Sequence, residues 1–350
     1  MLIVNNNVIF FIGDYMKVLY YLENEKILSK SGLGKAVKHQ MLACETENIP
    51  YTTNPKEDFD IVHINWYGPK SKRFAKKCRK KGIPVVYHAH STEEDFKNSF
   101  IGSNIFSPIF KKIIVSAYNL GDVIITPTNY SKKLLESYGT IKPPIYAISN
   151  GVDLSKFKPN KSSREKFLKR YNYKKEDKII VGIGLYLKRK GILDFVELAK
   201  RLPEYKFIWF GYLDLKLVPK EIKDAVNTKL DNLYFAGYVD NSLICEALQS
   251  CDLYLFPTLE ETEGIPIIEA LSAGAPTLVR DIGVFDYLKN DKEVYKAKNI
   301  DEFEDKIKKI INKELPDITS QGIKAVHDMD IKEVAKKLKN IYETTLKKNS

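Results

Sequence analysis

The stretch from Phe256 to Phe285, FPTLEETEGIPIIEALSAGAPTLVRDIGVF, decides the fold of this 350-residue chain. It follows a short apolar run, Leu253–Phe256, which is typical of a buried strand. Further on, the spacing of Ile267, Ile268 and Leu271 fits one face of a helix. The segment is therefore predicted to form a strand, a tight loop with glycine and proline, and a helix.

Two carboxylates and a glycine make this loop a candidate binding site. Glu261 and Glu269 lie eight positions apart, with Gly264 between them. A helix that begins after a glycine loop presents backbone N–H groups and positive partial charge, which suits a phosphate. Glu269 falls about one turn into the helix, where it can accept hydrogen bonds from sugar hydroxyls. The alternative is an ordinary strand–loop–helix unit with solvated acids, but the combination of residues favours a functional site.

Apolar runs alternate with helical stretches along the chain, which is typical of doubly wound parallel sheets. The predicted strands are Lys17–Leu22, Ile61–Ile64, Val85–His88, Val123–Pro127, Ile145–Ser149, Ile179–Leu185, Phe207–Phe210, Leu233–Ala236, Leu253–Phe256 and Pro276–Val279. Two sets of strands indicate an α/β protein with two Rossmann-like domains. The Asn150–Gly151 turn and the polar segment after it mark the join.

Length and composition exclude several classes of protein. No apolar run approaches the roughly 18 to 20 residues of a membrane-spanning helix. The four cysteines form no CxxC pair and no zinc ligand set, as expected of reduced thiols in a cytosolic protein. Residues 1–15 lack a basic start and a small-residue cleavage site, so they make a poor signal peptide. We expect them to be a non-native or dispensable extension.

A basic run from Lys70 to Lys81, KSKRFAKKCRKK, concentrates the charge of a chain whose formal net charge is +11. It holds eight basic residues in twelve positions and no acid. Such a run suits a phosphate-rich partner, either anionic lipid or nucleic acid. We assign Lys72, Arg73, Lys76 and Lys77 to a membrane-facing surface, the alternative being a solvated helix face. Nucleic acid is not expected, because no interleaved aromatic–basic motif accompanies the charge.

An apolar stretch between Phe100 and Ile114 contains one glycine, one proline and two lysines. Beside a cleft, such a segment can receive acyl chains while its lysines meet lipid head groups. Phe100, Phe106 and Phe110 are therefore candidate acceptor or membrane contacts. A buried core helix explains the same pattern equally well.

The spacing from Glu261 to Glu269, E-x7-E, resembles the donor-site motif of the family-4 glycosyltransferases of GT-B fold. The resemblance implies two Rossmann-like domains whose parallel sheets face each other across a cleft. It also implies that Glu269 holds the ribose of a nucleotide sugar and that Glu261 contacts the transferred sugar at the catalytic centre. Gly264 and Ile265, at the helix N-terminus, are then donor-binding residues.

A second motif, GLYLKRKGILDF, carries the implied contacts to the donor diphosphate. Lys190 precedes a glycine where the family places a diphosphate-binding lysine, and Arg189 is expected to assist. The family's usual arginine directly after the first glycine is Leu185 here, which leaves one cation fewer. Arg189 or Lys188 is a candidate substitute. The alternative is a solvated basic turn.

Other segments resemble further parts of such a site. Gly237, Tyr238 and Val239 match the stretch that binds the nucleobase through its backbone. Near the N-terminus, Ser31-Gly32-Leu33-Gly34-Lys35 opens a helix after the first strand. At that position the resemblance implies that Gly34 faces the donor and Gly32 the acceptor.

The segment HAHSTEEDF follows the strand Val85–His88 and supplies the predicted catalytic histidine. Loops at the carboxyl ends of parallel strands are the usual ligand sites of such sheets. By its offset from the strand, His90 matches the family's active-site histidine, whereas His88 is expected to be a strand residue. A structural histidine is the alternative.

Together, HSTEEDFKNSFIGSN, YLKRKGILDFVELAKRLP and EETEGIPIIEAL resemble the diacylglycerol α-glucosyltransferases within that family. The resemblance implies a retaining enzyme that uses UDP-glucose and a lipid acceptor, bound peripherally at the inner, cytoplasmic face of the cell membrane. A related enzyme with a soluble or polyprenyl-linked acceptor is the rival. The sequence leaves the oligomeric state open.

No cofactor and no metal are expected. A DxD motif is missing at every predicted strand end, and Asp328-Met329-Asp330 stands beside a helix start, where Asp330 is a predicted N-cap. The predicted domain organisation is an extension at 1–15, an acceptor domain at 16–150, an interdomain segment at 151–177, a donor domain at 178–328 and a terminal helix at 329–350. By the resemblance, that helix crosses back to the first domain.

Overall fold

The computed structural model describes residues 3–5, 8–10, 16–24 and 32–349, without the side chains of 3–5, 8–10 and 349. It divides into two compact units. The first comprises Met1–Thr92, Ile109–Gly151 and Met329–Ser350, and the second comprises Glu93–Pro108 and Val152–Asp328. The segment Glu93–Pro108, which the sequence placed with the first domain, thus groups with the second unit. Most of the predicted extension and Ser31 of the glycine loop lie outside the described residues.

The strands run through both units in the following order. They are β1 (Ile3–Asn5), β2 (Val8–Phe10), β3 (Val18–Tyr21), β4 (Tyr51–Thr52), β5 (Ile61–Ile64), β6 (Val85–His88), β7 (Val123–Thr126), β8 (Ile145–Ala147), β9 (Ile179–Ile183), β10 (Lys206–Phe210), β11 (Leu233–Gly237), β12 (Leu253–Phe256), β13 (Thr277–Arg280) and β14 (Tyr295–Ala297).

Each unit contains a six-stranded parallel sheet. The strand order is β4-β3-β5-β6-β7-β8 in the first and β11-β10-β9-β12-β13-β14 in the second. The predicted fold class is confirmed, and each predicted strand coincides with an observed one. The edge strands β4 and β14 were not predicted, because two or three residues without apolar alternation give no pattern. Residues of β1 and β2 form an antiparallel pair.

Helices connect the strands and cover the sheets. They are α1 (Gly32–Thr46), α2 (Pro69–Lys80), α3 (Glu93–Phe96), α4 (Ser103–Tyr118), α5 (Asn129–Ser137), α6 (Ser163–Tyr171), α7 (Ile192–Arg201), α8 (Lys220–Val226), α9 (Asn241–Ser250), α10 (Ile265–Ser272), α11 (Ile300–Ile311), α12 (Thr319–Ala325) and α13 (Ile331–Asn349).

The terminal helix α13 completes the core of the first unit. Its buried residues Val334, Leu338 and Tyr342 recur at helical spacing and pack with side chains of β3 and α1. Asp330 caps the helix, since its Oδ1 accepts a hydrogen bond from the Lys332 backbone N–H at 2.9 Å, as the sequence predicted.

The core of the second unit fixes the loops at the carboxyl ends of β9 and β12. Trp209, Phe195 and Phe207 are fully buried in this core. The Phe195 ring packs edge to face against both Phe207 and Trp209. Gly191 adopts φ 76°, and a side chain there would overlap the carbonyl oxygen of Pro257. Only glycine therefore allows the loop after β9 to lie directly against the loop after β12.

Candidate functional site

The second unit brings three predicted donor-site residues together at the carboxyl end of its sheet. The Lys190 Nζ contacts Glu261 Oε1, and Arg189 Nη1 lies 3.9 Å from Glu261 Oε2. The side chains of both cations are 15% exposed and that of Glu261 is 7% exposed. Two cations and one carboxylate thus share a site that water reaches only in part.

Three hydrogen bonds to backbone carbonyl oxygens connect the two loops of this site. The Arg189 carbonyl oxygen accepts from the Thr258 hydroxyl at 2.9 Å and from the Leu259 N–H at 2.6 Å. Arg189 Nη1 also donates to the Glu260 carbonyl oxygen at 3.3 Å. The cations after β9 are consequently positioned by the same loop that carries Glu261.

Burial shapes the charge of Lys190. It lowers the pKa of the ammonium, while the neighbouring Glu261 carboxylate opposes that shift and Arg189 adds to it. Asp95 contributes a further, weaker attraction. A cation in such a partly desolvated place interacts more strongly with an anion than one in open water does.

Helix α10 begins where the sequence predicted. Gly264 stands at its N-terminus with φ 86° and ψ 57°, the left-handed conformation that glycine adopts without strain. Ile265 is the first helical residue and Glu269 the fifth, and both are buried. Burial, Glu269 and Glu261 together raise the pKa of Tyr254, so both carboxylates lie within electrostatic range of that hydroxyl.

The predicted nucleobase segment ends strand β11. Gly237 is its last residue, with φ 70°, and Tyr238 is 57% exposed. Val239 lines an open cavity of about 370 Å³ together with Arg170 and residues of the start of α9. The structure therefore leaves this segment accessible to a ligand.

The sequence did not predict the hydrogen-bond partners of Arg189 in the segment Glu93–Pro108. Its Nε donates to Ser99 Oγ at 2.9 Å, and its backbone N–H donates to the Asn98 carbonyl oxygen at 3.2 Å. Ser99 is 4% exposed and in turn donates to the Asp95 carbonyl oxygen at 2.9 Å. Ser99 lies 90 positions from Arg189 along the chain, so no local sequence pattern indicates the contact.

In the first unit, His90 lies just beyond β6, and His88 is a strand residue as predicted. The His90 Nε2 lies 2.8 Å from Asn65 Oδ1, and its ring stacks on His88 with centroids 4.0 Å apart. Burial lowers the pKa of His90 to about 3, so the imidazole is neutral near pH 7. Asn65 was not predicted, because an isolated asparagine after a strand carries no pattern of its own.

The predicted acceptor glycines lie at the start of α1. Gly32 is exposed, and a side chain there would meet no atom within 4 Å. Gly34 is buried. The structure thus gives no steric requirement for glycine at position 32.

The predicted basic surface lies on helix α2. Its buried face carries Ser71, Ala75 and Cys78, and Arg73, Lys76 and Lys77 are exposed. Lys72 is half-buried and donates to Ser116 Oγ at 2.8 Å. Because Ser116 belongs to the part of α4 that lies in the first unit, Ile109–Tyr118, that part of the apolar helix neighbours the basic helix.

Helix α4 carries apolar side chains on two faces. Ile105, Phe106 and Ile109 are 79%, 56% and 56% exposed, and Phe100, just before the helix, is 44% exposed. Phe110 corrects the sequence assignment: it is 7% exposed and packs edge-on against Tyr67 with ring centroids 5.1 Å apart. Phe110 is therefore a core residue.

Neither a metal cluster nor a spanning helix is found in the part of the chain that the structure describes. No group of three or more His, Cys, Asp and Glu side chains there is arranged to hold a metal ion. No helix there is both long enough and apolar enough to cross a bilayer. The four cysteines, all described, form no disulfide.

Comparisons with known proteins define the class. A family model described as Glycosyl transferases group 1 matches residues 163–327, and one described as Glycosyltransferase Family 4 matches residues 54–156. The chain belongs to these family-4, GT-B glycosyltransferases, because it is also 38% identical to a curated member over 95% of its length. That relative is the processive diacylglycerol alpha-glucosyltransferase of Acholeplasma laidlawii, of which the match covers 99%.

Other relatives and solved structures agree with this class. The alpha-galactosylglucosyldiacylglycerol synthase of Streptococcus pneumoniae is 28% identical over 72% of this chain and 66% of its own. The structure of HepE from Anabaena in complex with UDP and glucose has a TM-score of 0.76 at 15% identity, covering 94% of this chain and all of HepE. At that identity, the structural match shows the fold alone.

Proposed function

We propose that this chain is a retaining glycosyltransferase that moves glucose from UDP-glucose to a hydroxyl of diacylglycerol at a membrane surface. The observation that carries the proposal is the cluster of Lys190, Arg189 and Glu261 beside the N-terminus of α10. Two relatives that act on diacylglycerol lipids, by their names, support the acceptor. The UDP complex of HepE supports the donor.

The cluster suits a leaving group that gains negative charge. When the bond between glucose and the diphosphate breaks, charge accumulates on the diphosphate oxygens. Lys190, Arg189 and the N–H groups at the start of α10 would stabilise that charge from fixed positions, which lowers the barrier without reorganisation. Glu261 balances the cations before the donor binds and then contacts sugar hydroxyls, and Glu269 holds the ribose.

The acceptor step needs no protein nucleophile in this scheme. The departing phosphate takes the proton of the acceptor hydroxyl on the same face of the sugar, so the anomeric configuration is retained. His90 is a neutral hydrogen-bonding group beside the transferred sugar. Because cations and a helix terminus already serve the diphosphate, we propose that transfer requires no metal.

The surface formed by α2 and the exposed α4 residues Ile109 and Ile113, all in the first unit and here called the basic–apolar surface, supports a membrane-bound acceptor. The Lys72–Ser116 hydrogen bond joins the two helices directly. Exposed lysines and arginines would attract anionic head groups at roughly 1 kcal/mol each, and the exposed isoleucine side chains would enter the acyl boundary. Phe100 and Phe106 of the second unit are proposed as further membrane contacts. We propose peripheral attachment at the inner, cytoplasmic membrane face through this surface.

A transfer assay tests the proposed reaction. Dioleoylglycerol in vesicles is offered with radiolabelled UDP-glucose, UDP-galactose or GDP-mannose, and lipid products are separated. We expect an α-glucosyl lipid from UDP-glucose, formed equally well in EDTA. A product only with a soluble or polyprenyl-linked acceptor would refute the lipid assignment. Loss of transfer in EDTA and its recovery with Mg²⁺ or Mn²⁺ would refute metal independence.

A further inference from the structure

A buried series of hydrogen-bonded side chains in the first unit ends at His90. It connects the terminal helix α13 to the loop after β6. Its members, in order of contact, are Cys44, Tyr20, Tyr342, His63, His88, Gln40, Asn65 and His90. The rings of His63, His88 and His90 stack in sequence, with centroid distances of 5.2 and 4.0 Å.

The directions of the hydrogen bonds that join His88, His63 and Tyr342 follow from the amide of Gln40. Its Nε2 lies 2.9 Å from His88 Nδ1, and an amide nitrogen only donates, so His88 Nδ1 is an acceptor. The same His88 Nδ1 lies 3.1 Å from His63 Nε2, which must then carry a proton. The remaining nitrogen, His63 Nδ1, accepts from the Tyr342 hydroxyl at 2.7 Å.

A second set of bonds fixes Asn65. Gln40 Nε2 also donates to Asn65 Oδ1 at 3.0 Å, and Asn65 Nδ2 donates to the His63 carbonyl oxygen at 3.4 Å. Both bonds turn the amide oxygen of Asn65, and not its nitrogen, toward His90. An amide oxygen only accepts, so the proton of the neutral His90 ring lies on Nε2, 2.8 Å from Asn65 Oδ1.

We infer that Asn65 is a positioning residue that holds His90 with its proton on Nε2 and its lone pair on Nδ1, ready to accept a hydrogen bond from a hydroxyl of the bound sugar. The inference rests on the proposed function, in which His90 stands beside the transferred sugar. Burial, which lowers the pKa of His63, His88 and His90, keeps all three rings neutral and so preserves the pattern of donors and acceptors.

The rival explanation is that these polar groups only secure α13 against the sheet. A structural role predicts that Asn65 variants lose stability and activity together. The positioning role predicts a change in the proton location on His90 and a loss of turnover in protein that stays folded. With five histidines in the chain, the imidazole ¹⁵N shifts of the full-length protein can be assigned one by one.

The experiment compares Asn65→Ala, Asn65→Asp and Tyr87→Phe with the parent. Tyr87→Phe is the control. It removes a buried hydroxyl whose 2.6 Å hydrogen bond to the Trp66 carbonyl oxygen is not part of the hydrogen-bonded series from Cys44 to His90. Asn65→Asp keeps an acceptor oxygen facing His90. Imidazole ¹⁵N shifts, thermal unfolding and steady-state transfer are measured for each protein.

We expect His90 in the parent, in Asn65→Asp and in Tyr87→Phe to carry a proton on Nε2, and His90 in Asn65→Ala to exchange between tautomers. We expect kcat of Asn65→Ala to fall roughly 10- to 100-fold with the KM for UDP-glucose little changed. A parent His90 protonated on Nδ1 alone, or an Asn65→Ala protein with parental kcat, would overturn the inference. If the parent transfers no sugar, the proposed function fails, and the ¹⁵N shifts still decide the position of the proton.

Discussion

The ammonium of Lys190 contacts the carboxylate of Glu261, and the loops that carry them follow two adjacent strands of the second sheet. The pair is largely buried, and Arg189 Nη1 lies 3.9 Å from the other carboxylate oxygen of Glu261, Oε2. A buried pair of this kind leaves an uncompensated charge when one partner is removed. Its residues are therefore the most informative targets for mutation.

Replacing Lys190 by alanine should remove most transfer activity. The ammonium would stabilise charge on the departing diphosphate, and one such contact is worth roughly 2 to 4 kcal/mol in the transition state. Steady-state transfer from UDP-glucose measures the loss. Lys200→Ala is the control, because Lys200 is exposed and pairs with Glu197 at 3.8 Å, away from Glu261. Parental turnover in Lys190→Ala would contradict the assigned donor site.

Replacing Glu269 by glutamine should weaken UDP-glucose binding while the fold persists. The substitution keeps the shape of a side chain that is 1% exposed and removes the charge that would accept the ribose hydroxyls. Titration calorimetry with UDP should show at least about a tenfold loss of affinity, as for one charge-assisted hydrogen bond. Circular dichroism checks that the protein is folded, and unchanged UDP affinity would rule out the ribose role.

The positions of the predicted donor-site residues in the fold could be read from the sequence, and their tertiary surroundings could not. Lys190, Gly264 and Glu269 have fixed offsets from strands that the apolar runs reveal, so motif and fold agree. Ser99 and Asn65 reach their partners through tertiary contacts alone, and nothing in their local sequence indicates them. Phe106 and Phe110 show a different limit: α4 is apolar on both faces, so its sequence does not tell which face is buried.

The three stacked histidines should make stability depend on pH. Burial lowers the pKa of His63 and His90 to about 3 and that of His88 well below its ordinary value. Below about pH 6.5 the unfolded chain binds protons that the folded chain does not, so stability falls as the pH falls toward 3. Each histidine contributes up to about 1.4 kcal/mol per pH unit.

Urea unfolding at pH 7.0, 6.0 and 5.0 measures this dependence of stability on pH. His88→Asn should reduce the slope of unfolding free energy against pH, since one titrating group is gone. His327→Asn is the control, because the His327 side chain is 78% exposed. Equal slopes in the parent and in His88→Asn would show that His88 does not contribute.

The exposed and buried faces of α4 should respond differently to substitution. Ile109→Asn with Ile113→Asn alters only exposed side chains of the first unit, so we expect little change in stability and weaker binding to vesicles at high salt. Phe110→Ala creates a cavity beside Tyr67 and should cost about 3 to 5 kcal/mol of stability. Vesicle co-sedimentation and urea unfolding separate the two effects. If the double variant binds vesicles like the parent, α4 does not contribute to membrane binding.

The basic helix α2 should supply the salt-sensitive part of membrane binding. Changing Lys72, Arg73, Lys76 and Lys77 to glutamine removes four charges from the basic–apolar surface, each worth roughly 1 kcal/mol near an anionic membrane and screened by salt. Binding to phosphatidylglycerol vesicles should fall at low salt and differ little from the parent at high salt. Affinity for UDP should stay unchanged, because no donor-site residue is altered.

A control variant with the same number of charges removed shows whether the position of the charges or the net charge of the protein determines vesicle binding. Lys161, Lys166, Lys169 and Lys175 are exposed residues of the second unit, and changing them to glutamine removes the same four charges. If only local charge on α2 matters, this control binds vesicles like the parent. Equal losses in both variants would mean that net charge alone drives binding. No loss in the α2 variant would make the basic run a solvated helix face, and the lipid acceptor would then rest on the relatives and on α4.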